Sequence, residues 1–237
     1  MGPIRDLWRR TPAAMTASPS VMAPNTLFSA DVAFATWDPL DRSLPALMPE
    51  EEHLLGPVSE KRRREFSAGR ACARRCMLAL DRETAPVLIG AGREPQWPAG
   101  LVGSITHTGS FAAAALGPTT ALRGIGLDAE PDAPLPRGVL ERISTVDERR
   151  WVRRVDPAAV PHAGRLLFSA KEATYKVWYP LANRWLDFGE VSIEFDESSD
   201  RFRVHVLVDG PFRELDGRYS IADGLILTCI ELRGERN

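Results

Sequence analysis

The C-terminal part of the chain alternates apolar and polar residues in four consecutive short stretches, and this pattern constrains the fold more than any other feature. The stretches lie at 191–195, 202–208, 218–221 and 225–232. A period of two places the apolar side chains of each strand on one face. Strands of this kind, joined by short connections, predict an antiparallel sheet with one buried face. Because helical patterns precede them, the predicted fold class is α+β.

Helical patterns lie upstream of this sheet. Between residues 60 and 82 the apolar residues recur at helical spacings, while the opposite face is strongly basic. A second helix is predicted over 162–179, and we expect it to end at Pro180 because proline cannot donate the helical hydrogen bond. The stretch 137–154 also has helical spacing, with a capping box that begins at Thr145.

Further strands are predicted in the earlier part of the chain, at 26–36, 101–107, 111–116 and 122–129. The dipeptide Gly109-Ser110 suits a hairpin turn between the second and the third of these strands. The order of elements therefore runs strand, helix, hairpin, and then strand, helices, meander. We divide the chain into an N-terminal half at 25–120 and a C-terminal half at 121–237. A proline-rich segment over 1–24 precedes them and is predicted to be a flexible extension.

Composition excludes several classes of protein. The 237 residues are 44% hydrophobic and 26% charged, which argues for a sizeable core and against disorder of the whole chain. A formal net charge of -2 gives no global footprint for nucleic acid. No apolar run approaches the roughly 18 residues that span a bilayer, and the N-terminus lacks the apolar core of a secretory signal. We therefore expect a cytoplasmic protein that binds neither nucleic acid nor membranes.

The cysteines are expected to be reduced, buried and chemically inert. Their number is odd, and the chain has only Cys72, Cys76 and Cys229. Cys72 and Cys76 are four residues apart in a helical pattern, so they share a face. With no second cysteine pair or histidine nearby, they make a poor zinc site.

Two carboxylates close an otherwise apolar strand in the sequence GIGLDAE. Asp128 and Glu130 are two residues apart and therefore point to the same side of the strand. Two carboxylates at such a position are unfavourable unless a cation or water neutralises them, and Mg²⁺ prefers oxygen ligands of this kind. Taken alone, the pair also fits a solvated strand end before a proline-rich loop.

Two other stretches carry polar residues that could act in chemistry. Glu172 and Lys176 are i, i+4 neighbours in the predicted helix over 162–179, a spacing that also fits an ordinary surface ion pair. Thr106 and His107 end the strand GSITH, where small hydroxyl groups suit contact with an oxyanion or a phosphate. A lone histidine at a strand end is also often structural.

The three stretches together, in this order and spacing, resemble the Sfp-type phosphopantetheinyl transferases. The resemblance is to the branch that contains enterobactin-synthase component D and its actinobacterial relatives. It is carried by GSITH at 103–107, GLDAEP at 126–131 and FSAKEATYKVWYP at 168–180, with the basic helix from Lys61 and the segment GREP at 92–95 as further matches. It covers roughly residues 28–232. Ala129 and Arg93 depart slightly from the family pattern.

This resemblance implies an activity and an architecture. The reaction is the transfer of 4′-phosphopantetheine from coenzyme A to the acceptor serine of an apo carrier protein, with release of 3′,5′-ADP. The fold is a pseudo-dimer of two similar α+β halves with coenzyme A in the cleft between them. The carrier would belong to a fatty acid, polyketide, nonribosomal peptide or siderophore synthase, such as the enterobactin synthase complex. We expect a monomer.

The resemblance also assigns a metal site and a leaving-group contact. It implies that Asp128, Glu130 and Glu172 hold Mg²⁺, and that Mn²⁺ would also serve. Glu172 is alternatively the base for the carrier serine, and the sequence leaves both roles open. Lys176 is expected to stabilise charge on the bridging oxygen of the leaving group.

The remaining implied contacts are with coenzyme A. Arg62, Arg70 and Arg93 are expected to bind the 3′-phosphate and the adenosine end as bidentate donors. Thr106 and His107 would add hydrogen bonds to a phosphate of coenzyme A, as would the ammonium of Lys176.

Three other functions fit the sequence less well. A catalytically inactive coenzyme A-binding relative would have the same fold, but it is disfavoured because the acidic positions and the lysine are all present. A nucleic-acid-binding protein built on the basic stretch 61–75 is disfavoured by the nearly neutral net charge and by the lack of an aromatic platform. A dinucleotide-binding fold is excluded because neither Gly90-Ala-Gly92 nor Gly124-Ile-Gly126 completes the glycine-rich fingerprint.

Overall fold

The computed structural model describes residues 27–37, 44–109 and 111–234. The predicted extension over 1–24 lies outside these residues. The elements of the N-terminal half are β1 (Ala33–Trp37), α1 (Pro49–Leu55), α2 (Glu60–Ala79), β2 (Leu88–Ile89), β3 (Pro95–Gln96), β4 (Leu101–Thr108) and β5 (Phe111–Pro118). Strand β5 is the centre of an antiparallel sheet of order β1-β5-β4, and β2 pairs with β3 in a separate ribbon.

The C-terminal half contains a larger sheet. Its elements are β6 (Leu122–Pro131), α3 (Val139–Ile143), α4 (Val146–Arg154), α5 (Ala163–Ala182), a short 3-10 helix (Phe188–Glu190), β7 (Val191–Asp196), β8 (Arg201–Val206), β9 (Glu214–Ala222) and β10 (Leu225–Arg233). The antiparallel strands have the order β6-β10-β9-β8-β7. The predicted meander and the α+β class are therefore confirmed.

The basic helix packs on the smaller sheet through its apolar face. Cys72 and Cys76 are buried on α2, and their thiols donate to the carbonyls of Ala112 and Ala114 on β5. The alanines of β5 leave room for the helix because their side chains are small. All three cysteines are free and buried, as predicted, and burial is the main cause that raises the pKa of each thiol to about 12.

The two longest helices, α2 and α5, each have 20 residues. Each buries one face against its sheet and keeps charged side chains on the other faces, as an amphipathic helix of a globular protein does. Within residues 27–37, 44–109 and 111–234, none of the helices combines the length and the apolar character that a membrane crossing requires.

The two sheets meet where β4 lies beside β6. The hydroxyl of Ser104 accepts the backbone N–H of Leu127 at 3.0 Å, and the hydroxyl of Thr106 accepts that of Ala129 at 3.0 Å. Both hydroxyl residues are buried. These two backbone N–H groups of β6 are therefore hydrogen-bonded to side chains of β4 and not to β10. The same hydrogen bonds join the two halves.

The segment that precedes β1 ties the N-terminal half to the last strand. Leu27 and Phe28 are buried in an apolar cluster with residues of β6 and β10. The backbone N–H and the hydroxyl of Ser29 both donate to the carboxylate of Glu231 at 2.6 Å. The first strand was predicted to begin at residue 26, and it begins only at Ala33 because the chain first makes these contacts and a turn.

Two helix boundaries differ from those predicted. Helix α5 continues through Pro180 to Ala182 and ends where Asn183 adopts a left-handed conformation with φ 47°. Proline is tolerated so near the end because it removes only one of the last hydrogen bonds. The single helix predicted over 137–154 is two helices, because the capping box of Thr145 starts a new helix, α4.

Candidate functional site

The candidate site lies between β6 and α5, which approach each other closely at Gly126. A Cβ atom at this position would lie 2.1 Å from the carbonyl oxygen of Ala173 on α5. Only glycine fits such a contact. The close approach brings Asp128 and Glu130 of β6 against α5, with both carboxylates on the same side of the strand as predicted.

Asp128 is buried and its carboxylate has a partner on each oxygen. The ammonium of Lys176 donates to Oδ1 at 2.8 Å, and the hydroxyl of Ser169 donates to Oδ2 at 2.9 Å. Ser169 is itself 2.9 Å from the hydroxyl of Thr228, and Thr106 donates to Oδ1 at 3.4 Å. The carboxylate is thus held directly by α5 and β4, and by β10 through Ser169.

Glu130 has an unusual environment for a carboxylate. Its Oε2 accepts a hydrogen bond from Nη1 of Arg165 at 2.9 Å. Burial nevertheless raises the pKa of Glu130 to about 8, with the charges of Asp128 and Glu172 adding to the rise and Arg165 opposing it. Three acidic side chains therefore share one electrostatic environment, and a further cation there would be stabilised.

The three carboxylates interact, but they do not converge on one point. Among the described residues, no group of three or more histidine, cysteine, aspartate or glutamate side chains is arranged to hold a metal ion. The reason is visible in the contacts. Lys176 occupies one oxygen of Asp128, and Arg165 occupies one oxygen of Glu130. The three carboxylates predicted to hold a metal ion are near one another, and the positions of two of them depend on these cationic side chains.

Lys176 lies beside the carboxylates and is partly exposed. Its ammonium donates to the backbone carbonyl of Leu127 at 2.7 Å as well as to Asp128, and 19% of its side chain is exposed. Lys171 on the same helix is the opposite case. It is fully buried, pairs with Glu148 at 2.8 Å and donates to the carbonyl of Val191. Lys171 therefore anchors α5, whereas Lys176 faces the site.

A second group of predicted residues lies along α2. Arg62, Phe66 and Arg70 follow one another at intervals of four, so they form a ridge on one face. The guanidinium carbon of Arg70 lies 3.8 Å from the centre of the Phe66 ring, and that of Arg62 lies 5.9 Å from it. Arg62 also donates to Nε2 of His107 at 3.3 Å, and Nδ1 of His107 is 3.7 Å from Glu65. The structure therefore brings both arginines and the predicted histidine together.

Arg93 and Thr106 lie elsewhere. Arg93 is exposed in the turn between β2 and β3, with a left-handed φ of 70°. This turn packs against the end of α5, since a Cβ atom at Gly92 would lie 2.0 Å from the hydroxyl oxygen of Tyr179. Thr106 is buried between the halves, where its hydroxyl serves Ala129 and Asp128. Its predicted contact with coenzyme A stays a prediction.

Several residues of the site were not singled out from the sequence. Arg165 and Ser169 lie on α5, as do Glu172 and Lys176. Successive members of this set are three or four residues apart, so all four lie on one face of the helix. That spacing is a usable signal. Glu51, which lies outside this site, offered no such signal, because it stands in an acidic run that looks solvated, yet it is completely buried.

Family models match both halves of the chain. A model described as 4′-phosphopantetheinyl transferase N-terminal domain matches residues 50–117. A second, described as 4′-phosphopantetheinyl transferase superfamily, matches residues 124–224. The first match includes α2, β4 and all of β5 except its last residue, and the second includes most of β6 and all of α5. The arginines of α2 and His107 therefore lie in the first matched region. The carboxylates of β6 and α5 lie in the second, together with Lys176.

Curated proteins of the same description are similar over most of the chain. The 4′-phosphopantetheinyl transferase Npt of Nocardia iowensis is 46% identical over 198 residues, which is 77% of this chain and 87% of the relative. The 4′-phosphopantetheinyl transferase PptT of Mycobacterium tuberculosis is 43% identical over 221 residues, or 88% of this chain and 95% of the relative. Enterobactin synthase component D of Salmonella typhimurium is more distant, at 31% over 132 residues and about half of each chain, 55% and 54%.

Proposed function

The chain belongs to the 4′-phosphopantetheinyl transferase superfamily, and on this premise we propose which of its residues carry out the reaction. The enzyme transfers 4′-phosphopantetheine to carrier proteins, and it is closer to Npt and PptT than to enterobactin synthase component D. Coenzyme A is the donor that this family implies. The observation that carries the proposal is the meeting of Asp128 on β6 with Lys176 on α5.

We propose that Asp128, Glu130 and Glu172 hold Mg²⁺, with Mn²⁺ able to replace it. The donor set is suitable because it offers only oxygen atoms. The raised pKa of Glu130, caused first by burial and then by Asp128 and Glu172, indicates an excess of negative charge that a cation would relieve. When bound, the ion would neutralise the pyrophosphate and orient it.

Lys176 is proposed to stabilise the leaving group. Its ammonium is held by Asp128 and the carbonyl of Leu127 at the edge of the site, so it can reach an anionic oxygen without leaving its helix. Charge develops on the bridging oxygen when the bond to phosphorus breaks, and a fixed ammonium there lowers the barrier.

Glu172 has two proposed roles, as a ligand of the ion or as the base that takes the proton of the carrier serine. Its charge acts on Glu130, which supports a position beside the other carboxylates. A base must also reach the attacking hydroxyl. The two roles separate in the pH dependence of turnover and in the metal affinity of a Glu172→Gln variant, because only a ligand changes the affinity.

We propose that the ridge of Arg62 and Arg70, with His107 and Arg93, binds the nucleotide end of coenzyme A. Guanidinium groups are suited to phosphate because they donate in a planar fork. The cluster of Arg62, Arg70 and His107 supports the proposal because it brings two guanidinium groups and an imidazole together, where they could donate to one phosphate. Arg93 would approach from the turn beside α5.

We also propose where the two halves divide and where the substrate cleft lies. The two halves would divide near residue 120, in the turn between β5 and β6, with the substrate cleft between them. The extension over 1–24, the monomeric state and the cytoplasmic location stay predictions. An inactive coenzyme A-binding relative is the second candidate, and it is disfavoured because the three acidic residues and the lysine proposed for the chemistry are all present.

The test is intact-protein mass spectrometry of apo carrier proteins after incubation with the enzyme, coenzyme A and Mg²⁺. Carriers from fatty acid, polyketide, nonribosomal peptide and siderophore synthases are compared. A gain of one phosphopantetheine group on the acceptor serine is expected, and its rate identifies the preferred carrier class. A Ser→Ala carrier is the matched control. Binding of coenzyme A with no mass gain on any carrier would support the inactive relative.

A further inference from the structure

The carboxylate of Glu51 is completely buried and lies outside the site described above. It belongs to α1, and both of its oxygens are engaged. Oε1 accepts the backbone N–H of Val87 at 3.0 Å, while Oε2 accepts from Nη1 of Arg74 at 2.8 Å and from the N–H of Met48 at 3.0 Å. A buried carboxylate with these three donors holds them in place.

Val87 connects Glu51 with Arg70. Its N–H is held by Glu51, and its carbonyl oxygen accepts from Nε and Nη2 of Arg70 at 3.3 and 3.2 Å. The other side of the Arg70 guanidinium lies on the ring of Phe66, 3.8 Å from its centre. The direction of this guanidinium is therefore set by two contacts, and one of them depends on where Glu51 holds Val87.

Glu51 also provides the negative charge that the ridge on α2 needs. The pKa of Arg70 is lowered to about 10, mainly by burial and partly by the charges of Arg62 and Arg74, while the charge of Glu51 opposes the decrease. Without this carboxylate, the guanidinium groups of Arg70 and Arg74 would repel each other in a partly dry environment.

We infer that Glu51 is a positioning residue for coenzyme A, because it holds Val87 so that Arg70 presents its guanidinium to the 3′-phosphate. The inference rests on the proposed function, which assigns Arg70 to the nucleotide end. Glu51 contacts Val87, Arg74 and Met48 and acts on the substrate only through Arg70. Its effect is therefore specific to the 3′-phosphate and leaves the reacting phosphorus unaffected.

The experiment measures kcat and KM with coenzyme A and with 3′-dephospho-coenzyme A. The variants are Arg70→Ala, Glu51→Gln and Glu51→Asp, and Glu52→Gln is the matched control because Glu52 follows on the same helix with 49% of its side chain exposed. Arg70→Ala is expected to reduce the preference for coenzyme A by roughly tenfold to a hundredfold. Both Glu51 variants should reduce it by roughly threefold to tenfold through KM, with kcat retained, and Glu52→Gln should not change it.

The outcomes separate the inference from the proposed function. KM does not depend on the concentration of folded enzyme, so partial unfolding of a Glu51 variant does not alter the preference. The Glu51→Asp variant keeps the carboxylate, but its side chain is one methylene shorter and no longer holds Val87 in the same position. This variant provides the test if Glu51→Gln is unstable. If Arg70→Ala reduces the preference while both Glu51 variants keep it, Glu51 is only structural and the inference is wrong. If Arg70→Ala keeps the preference, the assignment of Arg70 fails and the inference fails with it.

Discussion

The ammonium of Lys176 lies 2.8 Å from Oδ1 of Asp128, although 48 residues separate them in the chain. One comes from the first strand of the C-terminal half and the other from its longest helix. The absence of a side chain at Gly126 allows these elements to approach, so the ion pair depends on backbone contact as much as on charge. A lysine held in this way can exchange its carboxylate partner for a phosphate oxygen with little loss of side-chain freedom.

The two lysines of α5 should give opposite results when they are replaced. Lys176→Ala is expected to reduce kcat by roughly a hundredfold to a thousandfold, and to change KM less, because the lost contact forms with developing charge. Lys171→Ala should instead lower the free energy of unfolding by about 3–5 kcal/mol, since Glu148 would be left buried without its partner. Urea unfolding and steady-state kinetics of both variants provide the comparison. A Lys171 variant that is stable but slow would contradict the structural role.

Removal of the divalent ion should abolish transfer. We expect no carrier modification in excess EDTA, and recovery on addition of Mg²⁺ or Mn²⁺. Asp128→Asn should lose turnover by roughly a hundredfold or more, and should bind Mn²⁺ more weakly in a calorimetric titration. It should still fold, as judged by circular dichroism, because the amide retains the shape of the carboxylate. Full turnover in EDTA would show that the carboxylates serve another purpose.

Arg62 and Arg93, which are not linked to Glu51 by hydrogen bonds, should also affect the binding of the nucleotide end of coenzyme A. Arg62→Ala and Arg93→Ala each remove a charge-assisted contact worth roughly 1.5–3 kcal/mol, so KM for coenzyme A should rise more than kcat falls. Both variants should discriminate less between coenzyme A and its 3′-dephospho form. Arg203→Ala is a suitable control because Arg203 pairs with Asp216 on the exposed surface of the distant sheet. An unchanged preference in the Arg93 variant would remove the β2–β3 turn from the binding site.

The thiol of Cys229 should make the protein less stable at high pH. Burial is the main cause that raises its pKa from 9.0 to about 12, so the folded state keeps the proton that the unfolded state loses above pH 9. The unfolded state is favoured as a result, and the free energy of unfolding falls by about 1.4 kcal/mol per pH unit between 9 and 12 on account of this group. The measurement is the difference between wild type and Cys229→Ala, which cancels the other groups that titrate there. A difference that does not vary with pH would contradict the shift.

The chemistry within single elements could be predicted from the sequence. Asp128 and Glu130 on one side of a strand, and Glu172 with Lys176 on one face of a helix, follow from local periodicity alone. The contact between Glu51 and Val87 could not, because 36 residues separate them and the packing of α1 beside β2 decides whether they meet. The end of α5 was also mispredicted, since Pro180 stops a helix less effectively near its C-terminus than in its interior.

Truncation from the N-terminus should have a sharp limit between residues 24 and 29. A variant that lacks residues 1–24 should keep its activity, because this segment lies outside the resemblance and outside both matched regions. A variant that lacks residues 1–29 loses the buried Leu27 and Phe28. It also leaves the carboxylate of Glu231 without the two hydrogen bonds from Ser29.

The cost of the longer truncation can be estimated from these contacts. Burial of each large apolar side chain contributes roughly 1.5–3 kcal/mol, and the loss falls on the cluster where β6 packs with β10. Strand β6 carries Asp128, so the melting temperature and turnover should decrease together. The double variant Leu27→Ala with Phe28→Ala in the full chain is the matched control for length, and it should reproduce most of the loss in melting temperature. If the variant without residues 1–24 is folded but inactive, the extension itself shapes the substrate cleft.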